Sequence, residues 1–239
     1  MDNLIEAADD EYGVGLVTML RGEDFHDALV DEAALTVAQP DSLAGPFAHI
    51  VVDEAQELTD AEWQMLLLRC PSRSFTVVGD RAQARHGFTE SWRERLERIG
   101  LDRITLASLS INYRTPAEVM AEAEPVIRAV LPDANVPTSI RSSGIPVGHG
   151  PASDLDSILG AWLAVHAEGI ACVIIPSQAG GVRATSRVRS LTPELSKGLE
   201  FDLVVLVDPE AFGTGIEGAV DRYVAMTRAT QQLVILTIS

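Results

Sequence analysis

The chain has 239 residues, of which 46% are hydrophobic and 22% are charged, a composition typical of a globular protein rather than a disordered one. Asp and Glu number 35 against 18 for Lys and Arg, and the resulting net charge of −17 argues against a simple basic nucleic-acid-binding domain. Cys70 and Cys172 lie in apolar contexts and the histidines are scattered singly, so we predict neither a disulfide scaffold nor a Cys/His zinc cluster. The sequence shows no signal peptide and no membrane-spanning run, so we expect no membrane partner and a cytoplasmic location.

Apolar periodicity predicts alternating strands and helices in the N-terminal part of the chain. In chain order we predict a short helix at 29–35, a strand at 48–52, a helix opened by a capping box of Thr59 with Glu62, a strand at 75–78, a helix through Trp92, Leu96 and Ile99, a strand at 104–109, and a capped helix opening at 115–118.

Prolines and glycines concentrated after residue 131 predict a linker at 132–146. Beyond it we predict a helix at 155–163, strands at 171–175 and 203–207, a helix at 221–230 and a last strand at 233–238. Because strands alternate with helices on both sides of the linker, the predicted fold class is α/β, with mostly parallel sheets covered by helices.

Two carboxylates follow the predicted strand at 48–52. Parallel sheets bind ligands at the carboxyl ends of their strands, which makes Asp53 and Glu54 candidate site residues. Asp53 can hold Mg²⁺ through water, and Glu54 can polarise a water for attack on a phosphoryl group. An ordinary strand followed by an acidic helix start is the alternative explanation.

Five motifs occur in the order found in UvrD/Rep-type superfamily I helicases. IVVDEAQEL at 50–58 resembles motif II, FTVVGDRAQ at 75–83 motif III, LSINYRTP at 109–116 motif IV, LTPELSKGLEFDLVVLVD at 191–208 motif V, and YVAMTRAT at 223–230 motif VI. The resemblance implies a partial first RecA-like lobe at 1–131 and a second at 147–239, with ATP and Mg²⁺ as cofactors and nucleic acid as a partner.

The same resemblance implies roles for seven residues. It assigns Asp53 and Glu54 to the metal, Glu54 also to catalysis, Gln83, Arg114 and Arg228 to the γ-phosphate, Tyr113 to base stacking, and Glu200 to the nucleotide sugar. Arginine suits phosphoryl transfer because its planar, permanently charged fork meets phosphate oxygens. A surface ion pair for each arginine, and a core ring for Tyr113, are the structural alternatives. We expect the first-lobe residues to cluster, while the two arginines can stand apart without nucleotide.

Some positions depart from the helicase pattern. Glu194 stands where motif V of these helicases usually has a DNA-contacting histidine, and Phe88 is the one aromatic close behind motif III. The strings DEAQEL, NYRTPAEVM and LTPELSKGLEFD resemble the HelD branch, whose members are ATP-driven factors that strip RNA polymerase from nucleic acid. The one lysine, Lys197, is not in a P-loop. We therefore expect the C-terminal ATPase portion of a larger motor, with negligible hydrolysis by this chain.

Two alternatives stay open. A DNA helicase fragment is disfavoured by the net charge of −17 and by Glu194, because DNA contact needs positive charge along a groove. A non-catalytic remnant that binds a partner such as RNA polymerase is favoured by the lack of a P-loop, which supplies most of the phosphate-binding energy.

Overall fold

Strands and helices alternate along the computed structural model, which describes residues 45–85, 88–177 and 181–238. The chain divides into two units, residues 1–47 and 48–239, and every element below belongs to the second unit. The helix predicted at 29–35 lies outside the described residues. No helix of the described part is both long and apolar enough to cross a membrane.

The strands are mostly short. In chain order they are β1 (Ile50–Val52), β2 (Phe75–Val77), β3 (Ile111–Asn112), β4 (Thr138–Ser139), β5 (Gly148–Pro151), β6 (Ala171–Ile174), β7 (Val188–Leu191), β8 (Phe201–Val207) and β9 (Ala229–Thr237). The helices are α1 (Asp60–Arg69), α2 (Trp92–Arg98), α3 (Ala117–Arg128), α4 (Leu155–Val165), α5 (Pro193–Ser196) and α6 (Gly215–Met226). Short 3₁₀ turns follow β1 at Ala55–Glu57 and β2 at Arg81–Gln83.

A five-stranded parallel sheet forms the centre of the fold, with strand order β5–β9–β8–β6–β7. Val205 of β8 pairs in register with Val173 of β6 on one side and with Val234 of β9 on the other. Strands β6 and β8 are buried along almost their whole length, as expected of a parallel sheet covered on both faces. The predicted α/β fold class, with a parallel sheet and flanking helices, is confirmed.

Separate apolar clusters cover the two faces of this sheet. Helices α3 and α6 pack on the face that presents Val204 and Leu206. Helix α4 packs on the face that presents Leu203 and Val205, with Trp162 buried against it. A third, smaller cluster surrounds Trp63 and joins β1 and β2 to α1 and α2. The parallel pair β1–β2 therefore has a small core of its own.

Helix α3 belongs to the core of the five-stranded sheet. Val119, Ala123 and Ile127 lie in the same cluster as β8 and β9, although the predicted division placed residues up to 131 with β1 and β2. The proline- and glycine-rich stretch marks an irregular segment rather than a change of core. This segment is held against α3, because the Glu118 carboxylate accepts hydrogen bonds from Ser142 Oγ at 2.5 Å and from the Gly144 amide at 2.9 Å.

Those bonds also correct the predicted helix start at 115–118. Pro116 occupies the N-cap position without a side-chain hydrogen bond. The Glu118 side chain accepts hydrogen bonds from Ser142 and Gly144 instead of forming a capping box. Hydrogen bonds to its carboxylate, of which the one from Ser142 has the largest effect, lower the pKa of Glu118 to about 2. By contrast, the capping box predicted for Thr59 and Glu62 is confirmed.

Several element boundaries differ from the predictions. Residues 104–109 form no strand; Leu106 and Leu109 in that segment are exposed. The helix predicted at 221–230 is α6, which begins at Gly215 and ends at Met226, so that Ala229 already starts β9. Cys70 and Cys172 are free and buried, as their apolar contexts indicated.

Candidate functional site

The residue that follows Asp53 has an unusual backbone conformation. Glu54 has φ 50° and ψ 37°, in the left-handed region, which costs a residue with a side chain about 1–2 kcal/mol. Its amide donates to Asp53 Oδ1 at 2.9 Å, and both side chains are exposed at the end of β1. Such an outlier is typical of functional sites, where the surrounding structure holds the strain.

The buried side chain of Gln56 joins the ends of β1 and β2. Its Nε2 donates to Glu54 Oε2 at 2.5 Å, and its Oε1 accepts from the Asp80 amide at 3.0 Å. A Cβ at Gly79 would lie 2.8 Å from Gln56 Oε1, so the strand end needs glycine there. Gln56 had no predicted role; its one signal in the sequence was its place in the motif at 50–58.

Asp80 orients the amide of Gln83. One carboxylate oxygen of Asp80 accepts from the Ala82 amide, and the other accepts from Gln83 Nε2, both at 2.9 Å. Gln83 Oε1 therefore faces away, and it lies 3.5 Å from Arg228 Nη2. Burial raises the pKa of Asp80, against the opposing effect of the bond from Gln83. Asp80 is a second residue that sequence reasoning missed, although it lies in the motif at 75–83.

Arg228 is a buried cation. It is 3% exposed and lies just beyond the end of α6, where its Nε donates to Val224 O at 3.0 Å and its Nη2 to Thr227 Oγ1 at 3.3 Å. No carboxylate of the described residues forms an ion pair with it. Burial, followed by the nearby charge of Arg114, lowers its pKa, while the charges of Glu200 and Glu54 act in the opposite direction.

The turn after β3 brings Arg114 to the same region. Thr115 Oγ1 donates to Thr227 O at 3.3 Å, which fastens this turn to the end of α6. Arg114 Nη1 lies 2.8 Å from Glu200 Oε1, and the two side chains are 47% and 46% exposed. Tyr113 is 70% exposed, so the alternative of a core ring does not hold.

Five of the seven predicted residues are therefore linked in one region, although not equally. Direct contacts join Gln83 to Arg228 and Arg114 to Glu200. Glu54 acts on Arg228 and on Asp80 through its charge. The two arginines are close enough to influence each other, and Arg228 lies two residues past the helix on which it was expected.

The carboxylates of Asp53 and Glu54 are the side chains at this site that could hold Mg²⁺ next to a nucleotide. No cluster of three or more His, Cys, Asp or Glu residues forms a ready metal site in the described ranges. Mg²⁺, however, usually takes one or two carboxylates and completes its shell with water and phosphate oxygens, and Asp53 with Glu54 suits that mode. Lys197 is occupied elsewhere, because its Nζ bonds Glu57 and the Gln83 carbonyl.

Comparison with known proteins found no matching family model and no matching curated protein. Solved structures do match. The C-terminal domain of a possible DNA helicase from Lactobacillus plantarum WCFS1 is 16% identical over 53% of this chain and 88% of that one, with a TM-score of 0.39. An arterivirus nonstructural protein 10 helicase in complex with DNA is 21% identical over 79% of this chain, with a TM-score of 0.45. The helicase of PRRSV is 18% identical over 78% of this chain, with a TM-score of 0.47. The chain spans 39% and 34% of the lengths of these two viral helicase chains.

Proposed function

We propose that this chain forms the γ-phosphate side of an ATP site in a UvrD/HelD-like superfamily I motor, which hydrolyses ATP to remodel nucleic-acid or RNA polymerase complexes. The observation that carries the proposal is Arg228, a buried guanidinium with no ion pair in the described part of the chain. A buried charge is costly unless an anion compensates it, and a phosphate matches the planar donor fork of arginine.

The residues around Arg228 suit phosphoryl transfer. Arg228 and Arg114 would bind oxygens of the terminal phosphate and stabilise the charge that spreads over them during transfer. Gln83, oriented by Asp80, would position the attacking water next to Arg228. Glu54, held by the Gln56 amide, would accept the proton of that water.

Other residues would hold the rest of the nucleotide. Tyr113 offers an exposed ring on which a base can stack. Glu200 would contact the sugar hydroxyls, which requires it to exchange its ion pair with Arg114 for the ligand. Asp53 and Glu54 would hold Mg²⁺, which, when bound, neutralises phosphate charge.

A non-catalytic, partner-binding role is the second candidate, and the position of Lys197 favours it. The one lysine of the chain is bonded to Glu57 and to the Gln83 carbonyl, so it does not serve as a phosphate-binding lysine. With a net charge of −17, such a module suits a protein partner such as RNA polymerase better than DNA. A DNA helicase fragment is the weakest alternative for the same reason.

An NMR titration separates these candidates. The arginine Nε–H signals of the labelled protein are followed while Mg-ATP, or AMP as a ligand without the γ-phosphate, is added. We expect saturable shifts of Arg228 and Arg114 with Mg-ATP, smaller shifts with AMP, and loss of the response in Arg228→Gln. Arg93→Gln, which removes an exposed arginine paired with Glu97 on α2, is the control. Unchanged arginine signals at saturating Mg-ATP in the folded protein would favour the partner-binding role.

A further inference from the structure

A pocket of about 150 Å³ has a lining that includes none of the residues assigned to the nucleotide. Helices α5 and α6 and three loops contribute to it. Its lining consists of Arg85, Pro176, Thr192, Pro193, Glu194, Phe212 and Asp221.

Asp221 is an incompletely bonded carboxylate in the wall of this pocket. The residue is 5% exposed, and its fully buried Oδ1 forms no hydrogen bond with the residues that the structure describes. Arg85 Nε is 3.6 Å from that oxygen, which is too far for a hydrogen bond, although the charges attract. Buried carboxylate oxygens are normally bonded, so the pocket presents an acceptor that lacks a donor.

The charges around the pocket do not balance. Arg85 is the one cation among the described residues that line it, and its Nη1 is already 2.8 Å from Glu194 Oε2. Lys197 also acts on Asp221, but its ammonium is bonded to Glu57. Among the described lining residues, the carboxylates of Glu194 and Asp221 thus share one arginine, and burial is the largest effect that raises the pKa of Asp221.

The remaining walls suit a flat or aliphatic group. Phe212, Pro176 and Pro193 supply apolar surface next to the carboxylates. A guanidinium suits both the carboxylates and the apolar walls, because it donates hydrogen bonds to carboxylates in its plane and stacks on aromatic faces. We propose that this pocket binds an arginine side chain of a partner polypeptide. The inference does not depend on the nucleotide roles proposed above, and the negative charge disfavours nucleic acid as the occupant.

The test uses N-acetyl-L-arginine amide as the probe and N-acetyl-L-citrulline amide as its uncharged counterpart. Backbone amide signals of the labelled protein are followed by NMR. We expect weak but saturable shifts at Thr192, Phe212 and Asp221 with the arginine compound and none with the citrulline compound. Equal shifts with both compounds, or no saturation, would overturn the proposal, as would displacement of the probe from these amides by oligo(dT) or inorganic phosphate.

Matched variants then locate the site. Asp221→Asn and Glu194→Gln should each weaken binding by about tenfold or more, because each removes a charged acceptor. Glu210→Gln removes an exposed acid that is not part of the pocket lining, and this variant should bind the probe like the parent protein. If Asp221→Asn does not fold, the affinity of Glu194→Gln tests the site, because the side chain of Glu194 is 65% exposed and its replacement should not affect folding. Unchanged affinity in the folded variants would refute the assignment.

Discussion

Substitution of Gln56 by glutamate tests how the ends of β1 and β2 are held together. A glutamate can still accept from the Asp80 amide, but when ionised it cannot donate to Glu54. The lost bond has a charged acceptor and contributes about 1.5–3 kcal/mol. Repulsion between two carboxylates about 4 Å apart adds at most about 4 kcal/mol at a surface-like dielectric constant, and less here because Glu54 is exposed. We expect Gln56→Glu to lower the free energy of unfolding by about 3 kcal/mol at neutral pH.

The pH dependence of this loss distinguishes repulsion from a packing defect. The introduced carboxyl group would have a folded-state pKa above its unfolded value, because burial and Glu54 both disfavour its charge. A raised folded-state pKa means that stability is lost as the pH rises. The destabilisation should therefore be largest above the raised pKa and shrink by up to about 1.4 kcal/mol per pH unit down to about pH 4.3.

Urea unfolding of the parent, Gln56→Glu and Gln56→Met proteins across this pH range is the assay. Methionine removes both hydrogen bonds without adding a titrating group, so its cost, about 2–4 kcal/mol, should change much less with pH. If the loss of unfolding free energy in Gln56→Glu is independent of pH, or no greater than about 1 kcal/mol at neutral pH, Gln56 does not connect Glu54 to the Asp80 amide by hydrogen bonds.

Three further predictions concern the core, a thiol and catalysis. Ile127→Ala should cost about 2–5 kcal/mol in urea unfolding and Val126→Ala clearly less, because Ile127 is fully buried and Val126 only partly; equal costs would contradict the placement of α3. Burial raises the pKa of Cys172 to about 12, so a thiol reagent should label it only on unfolding; rapid labelling of the native protein would contradict its burial. This chain should show negligible Mg²⁺-dependent ATP hydrolysis, and turnover abolished by Glu54→Gln would contradict that expectation.

The sequence was informative where a local pattern had one structural solution. The apolar run at Leu203–Val207 forms the buried strand that was predicted, and the Thr59 capping box marks a helix start. The prediction of a strand at 104–109 was wrong, because a strand also needs a hydrogen-bonded neighbouring strand, which an apolar sequence does not supply by itself. The grouping of α3 with the five-stranded sheet depends on long-range packing, which the prolines and glycines after residue 131 do not report.

At the candidate site, the motifs located residues but not their connections. Nothing in the sequence distinguished Gln56 and Asp80, which orient Glu54 and Gln83, from their neighbours in the same motifs. Nor did the sequence indicate that Arg228 would be buried rather than paired at the surface. Such features arise from contacts between segments far apart in the chain, so only the three-dimensional structure reveals them.

The bonds of Lys197 have a consequence for covalent chemistry. Its ammonium holds Glu57, after β1, and the Gln83 carbonyl, after β2, next to the segment that leads into β8. Because the sequence contains no second lysine, every reagent that acylates lysine side chains reacts at Lys197. Acetylation there would remove the charge and leave Glu57 without its cation. Amine-directed cross-linking or surface coupling would therefore alter the contact that connects these segments, whereas coupling through an introduced exposed cysteine would leave it intact.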